Sequence, residues 1–139
     1  MLNTIGAGFC WFTLGAMILF GAVVAPSVFQ TLPPDHAGGF LRRVFPRMYL
    51  FCGITTSIAT GLFTVANAFE PAVVAGISTV LFFVSRGPLT RQINEARDQE
   101  LAGVPGARET FERLHKLSVR VFGLQALMLL CAGVYVYTI

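Results

Sequence analysis

Hydrophobic residues in this chain come in long, nearly uninterrupted runs instead of alternating with polar ones. The first run, 5–25, carries no charge and is long enough to cross about 30 Å of hydrocarbon at about 1.5 Å per residue. Gly8, Gly15 and Ala22 recur in it every seven residues and predict a smooth seam for a neighbouring helix. Pro26 closes the run, and 27–39, with Pro33, Pro34, Gly38 and Gly39, reads as a turn. Apolar positions then follow i, i+3, i+4, i+7 spacing through Ala37, Phe40, Leu41, Val44, Phe45 and Met48, with Arg42 and Arg43 off the stripe. That pattern predicts a short amphipathic segment lying in the membrane interface. Pro46 suits the first turn of a second span, 46–67, where Gly53, Ser57 and Gly61 make a small-residue face.

Glu70-Pro71 predicts a tight turn. The third span, 72–89, is short in its strictly apolar part, and Arg86 extends it by snorkelling. A polar helix follows from Arg91 to about Leu101, with Arg91 and Glu95 paired at i, i+4. Gly103, Pro105 and Gly106 break it. The fourth helix opens at Ala107, is laced by Arg108/Glu112, Glu109/Arg113 and Glu112/Lys116, and spans the membrane over 117–139. The predicted fold is all-α: an integral membrane four-helix bundle of one domain, 1–139, with helices three and four extended as a cytoplasmic helical hairpin.

Composition sharpens this picture. Of 139 residues 55% are hydrophobic and 12% charged, against about 25% charged in a soluble domain. All ten basic residues fall in two connections. Arg42, Arg43 and Arg47 lie in the first; Arg86, Arg91, Arg97, Arg108, Arg113, Lys116 and Arg120 lie in the third. The positive-inside rule then places both connections in the cytoplasm and both termini outside. The first run is too long for the apolar part of a signal peptide and has no basic residue before it, so it reads as a retained helix. A net charge of +3 without an aromatic-interleaved basic patch points to membrane lipids as partners and to no nucleic acid. Cys10, Cys52 and Cys131 sit far apart inside apolar runs, which suits free, packing thiols and no disulfide framework.

Motifs for chemistry are sparse. The sequence holds no P-loop, dinucleotide fingerprint, HExxH or nucleophile elbow, and no carboxylate lies within a span. No catalytic residue, cofactor or metal ligand is therefore assigned. The hydroxyls of Thr13, Thr55, Thr56, Ser57, Thr60 and Thr64 are expected to bond back to their own helix carbonyls. His36 lies in the Pro/Gly turn and reads as a solvated loop residue. One polar face stands out: His115, Ser118, Phe122 and Gln125 fall at i, i+3, i+7 and i+10 where the fourth helix enters the membrane. His115 there suits a hydrogen bond to the first connection, or alternatively a haem or metal ligand. A histidine changes charge near physiological pH, so His115 is also a candidate sensor.

Phe29-Gln30-Thr31-Leu32-Pro33, then Ala37-Gly38, then Val44-Phe45-Pro46-Arg47-Met48-Tyr49 form one signature. Phe111-x-x-x-His115-x-Leu117-Ser118 forms a second. Together they resemble the transmembrane protein 205-like family, also catalogued as domain of unknown function 4149. The resemblance implies a four-helix integral membrane protein without an established reaction, linked to drug and metal tolerance and to trafficking in animal members. Members often carry Asn seven residues after the motif His, where this chain has Phe122; Gln125, one turn deeper, could supply that amide. Lys116 stands where a Gly commonly follows the His. The short chain looks like a bacterial member of the inner (plasma) membrane. The expected role is that of a non-enzymatic protein acting as a homo-oligomer, a transport-associated or tolerance factor. An accessory subunit of a larger membrane complex, and a redox protein using His115, are the alternatives. The expected working surface joins Pro33, Gly38, Phe45, Pro46 and Tyr49 to His115, Ser118 and Gln125.

Overall fold

In hydrocarbon a backbone must satisfy its own hydrogen bonds, and an unbroken apolar run does so as a helix. The computed structural model of the protein describes residues 1–138 and bears this out. Helices α1 (Leu2–Thr31), α2 (Pro34–Val65), α3 (Phe69–Leu101) and α4 (Ala107–Tyr135) are all long and apolar enough to cross a membrane. The chain is thus an all-α, multi-pass bundle. Position 139, the end of the expected fourth span, lies outside the described residues.

The prolines do less damage than the sequence suggests. The turn expected over 27–39 is only Leu32 and Pro33, because α1 runs through Pro26 to Thr31 and α2 begins at Pro34. A widened π turn, Phe20–Val24, precedes Pro26 and absorbs the register change that a missing N–H imposes. Pro34 occupies the first turn of its helix, where no N–H is needed. Pro46 does not start a helix; it lies inside α2, so the amphipathic segment and the second span are one continuous rod. The reversal expected at Glu70-Pro71 occurs one turn earlier. Both residues belong to the first turn of α3, and Asn67 makes the bend by adopting a left-handed φ of 56°. In α3 a second π turn, Ser85–Leu89, carries Pro88, and the Thr90 hydroxyl donates to the Ser85 carbonyl. Gly103 and Gly106 do break the chain as expected, at φ 74° and 77°, values that favour residues without a Cβ.

The helices form a ring in which α1 packs on α2 and α4, and α3 packs on α2 and α4. In α2, 44% of the most apolar stretch is buried against 22% in α1 and α4, so α2 is the most enclosed of the four. Met17, Tyr49, Phe63, Phe82 and Leu129 fill the core between alanines at 7, 59, 75 and 132. Aromatic side chains press closest on a neighbouring helix's backbone at three glycines. A Cβ on Gly6 would meet the Phe63 ring at 2.9 Å, one on Gly133 the Trp11 indole at 3.0 Å, and one on Gly53 the Phe83 ring at 3.2 Å.

Two small-residue seams are corrected by this packing. On α1 the inward stripe is Gly6, Ala7, Cys10, Thr13 and Met17, while Gly8, Gly15 and Ala22 face outward. One residue step rotates a helix by about 100°, so Gly8 is turned off the core when Ala7 is on it. On α2 only Gly53 of the expected trio is buried; Ser57 and Gly61 are exposed. Cys10 and Cys52 are buried packing thiols, but Cys131 is exposed on α4.

Toward the 102–106 connection, the polar ends of α3 and α4 pack side by side. Arg97 lies over the Phe111 ring at 5.3 Å. The Arg91–Glu95 and Arg108–Glu112 pairs form at 4.0 and 3.2 Å. Glu109/Arg113 and Glu112/Lys116 do not pair among the described residues; Arg97 instead pairs with Glu100 at 2.6 Å. Arg42 of α2 reaches across to α3, forking onto the Asp98 carboxylate at 2.7 and 3.3 Å and donating to the Asn94 carbonyl.

Candidate functional site

The polar atoms inside the bundle are few, and most answer to their own helix. Thr56, Ser57, Thr60 and Thr64 each donate to the carbonyl four residues earlier, as does Thr79. This is the local bonding expected of hydroxyls in an apolar helix. Thr13 and Thr55 go further. Their oxygens lie 2.7 Å apart, joining α1 to α2 in the core. Thr13 is 2.8 Å from the Phe9 carbonyl, and Thr55 is 3.1 Å from those of both Phe51 and Cys52. Two protons serve these four contacts, so the shorter bonds decide: Thr13 donates to Phe9 and Thr55 donates to Thr13.

Gln125 and Ser78 differ from all of these. Both are fully buried, and among the described residues neither the Gln125 amide nitrogen and oxygen nor the Ser78 hydroxyl has a hydrogen-bond partner. An amide buried without a bond costs about 1–3 kcal/mol on the scale of protein substitutions. A leucine or methionine of similar volume would carry no such cost. Gln125 is therefore not explained by stability, and it marks the interior point where this bundle departs from an apolar core. A neutral amide donates and accepts, but it neither titrates nor attacks, so it can orient or bind and cannot act as an acid, base or nucleophile.

The predicted site residues do not form one surface. Phe45 and Tyr49 belong to the core: Phe45 meets Phe20 edge-on with ring centroids 5.0 Å apart and stacks on Tyr49 at 5.9 Å. Pro46 is half-buried beside them, whereas Pro33 and Gly38 are exposed. On α4 the expected polar face is divided by depth. His115 is exposed and stacks on Phe111 at 5.9 Å. The Ser118 hydroxyl donates to the His115 carbonyl, 2.7 Å away on the same helix. Phe122 packs against the core, and Gln125 alone is fully inside. Among the described residues His115 makes no side-chain bond to the first connection; only its carbonyl is engaged, by Ser118. Among the described residues no group of three or more His, Cys, Asp or Glu is assembled. The Thr13–Thr55 link was not singled out in advance, although each residue sits mid-run in its span and that position was the available signal.

Residues 9–100 match the family described as Domain of unknown function (DUF4149). The chain belongs to this family. The matched region runs from α1 through nearly all of α3, so it includes the first signature, Phe29 to Tyr49, and the Thr13–Thr55 link. The second signature around His115, and Gln125 itself, lie beyond it on α4. No curated protein and no solved structure matches the chain.

Proposed function

We propose that this family member is a non-enzymatic membrane protein that works by lateral self-assembly, as a transport-associated or tolerance factor. The observation that carries the proposal is the outward face of α1. Gly8, Gly15 and Ala22 are exposed, and an added Cβ at Gly8 or Gly15 would meet no atom within 4 Å. Beside them lies a shallow apolar hollow lined by Ile5, Gly8, Phe9 and Phe12. Small residues let helix backbones approach closely in lipid, and this chain does not use these three for its own packing. The bundle interior is filled by Met17, Phe63, Phe82 and Leu129, so passage of a solute calls for more than one copy.

The finer reading follows from charge. All ten basic residues lie on α2, α3 and α4 at or near the hairpin end or the Leu32–Pro33 connection. That distribution supports an N-out/C-out orientation with the hairpin in the cytoplasm, in the plasma membrane of a bacterium, and a kinship with transmembrane protein 205-like members. Photobleaching of single labelled particles in nanodiscs cut directly from membranes tests the assembly. Two or more bleaching steps are expected for the natural chain and one for a Gly8→Leu/Gly15→Leu double variant. A natural chain that always bleaches in one step overturns the proposal. A foreign chain at fixed stoichiometry would replace it with the accessory-subunit reading.

A further inference from the structure

We infer that α4 carries a binding site for an anionic phospholipid, with the headgroup phosphate held by Arg113, Lys116 and Arg120. The site rests on membrane embedding alone and does not require self-assembly. These three cations follow at i, i+3 and i+7, so they lie within about 60° of one another on the helix. They line one hollow together with Glu109 and Glu112. All three are exposed and none makes an ion pair among the described residues, whereas Arg42, Arg91, Arg97 and Arg108 are each engaged by a carboxylate. Of the two acids in the hollow, Glu112 is held by Arg108. Glu109 stands at the outer end, a turn farther from the apolar part of the helix.

The same face continues downward as apolar surface. Relative to Arg120, Leu124 is at i+4, Leu127 at i+7 and Val134 at i+14, and these are 49%, 56% and 41% exposed; Leu117, 46% exposed, lies on the same face among the cations. Arg113 to Arg120 spans about 10 Å at 1.5 Å per residue, enough to cross a headgroup layer of about 5–8 Å. A cationic hollow that opens directly onto a lane of exposed leucines matches a molecule with a phosphate and an acyl chain. A free phosphate or an acidic peptide would use the hollow and leave the lane unused.

The test is native mass spectrometry of the full chain released from phosphatidylcholine nanodiscs with and without phosphatidylglycerol. Selective retention of phosphatidylglycerol is expected. R113Q/K116Q/R120Q should lose about a hundredfold in that retention, from about fivefold per cation. R43Q/R47Q/R86Q, which removes the same charge elsewhere, should keep it. E109Q, which relieves repulsion, should raise it, and serves as a gain-of-binding control independent of folding. L124S/L127S should weaken lipid retention. Equal loss in the two triple variants would overturn the site in favour of diffuse attraction. Displacement of the lipid by an equal concentration of inorganic phosphate would overturn the assignment to lipid.

Discussion

At the scale of the residue, Gln125 is a buried amide without a bond. It is fully buried and both amide atoms lack partners among the described residues, so its removal should relieve a desolvation cost of about 1–3 kcal/mol. Gln125→Met is the volume-matched change, and it is expected to raise the thermal midpoint in detergent. A lowered midpoint would mean that the amide contributes to holding the fold. Ser78→Ala should act in the same direction with a smaller effect, because a hydroxyl presents fewer polar groups than an amide. Spacing on α4 was enough to single out Gln125 from the sequence, and to place it deeper than His115. Its isolation was not legible, because a partner on another helix is fixed by tertiary approach and leaves no trace in local spacing. The reverse holds for His115, which the same spacing marked equally and the structure leaves exposed.

At the scale of the element, the helices are longer and more continuous than their proline content suggests. Pro26 and Pro88 are each accommodated at a π turn, and Pro46 rides inside α2. The polar hairpin is joined to α2 through Arg42, whose guanidinium forks onto Asp98 at 2.7 and 3.3 Å. The two side chains are 40% and 60% exposed, so the pair is worth less than about 1 kcal/mol in global stability. Its effect is on geometry. Asp98→Asn should leave the thermal midpoint nearly unchanged, yet broaden the spin-label distance distribution between Arg43→Cys and Gln99→Cys. An unchanged distribution would show that helix packing alone orients the hairpin. The i, i+4 rule found Arg91–Glu95 and Arg108–Glu112, but it could not find Arg42–Asp98, which are 56 positions apart.

At the scale of the whole molecule, four antiparallel rods put the 32–33 and 102–106 connections at one end and the 66–68 reversal at the other. Single cysteines placed at Gly103 and at Asn67, in a chain with Cys10, Cys52 and Cys131 replaced by serine, should react with a membrane-impermeant maleimide from opposite faces. With the hairpin in the cytoplasm, only the Asn67→Cys chain is labelled in intact cells. Labelling of both from one face would overturn the four-span arrangement.

Composition and hydropathy along the chain were enough for the number of helices, their all-α character and the segregation of basic charge to one end. Each of these follows from composition summed over some twenty residues, and lipid leaves an apolar run of that length one structure. Tertiary structure alone decided which face of each helix turns inward. Nearly all residues of α1 are apolar or small, so hydrophobicity does not distinguish its sides, and the choice of Gly6 over Gly8 rests on the fit to Phe63. It also decided the Thr13–Thr55 link, the Arg42–Asp98 brace and the isolation of Gln125. These depend on distances between segments far apart in the chain, and only packing sets those.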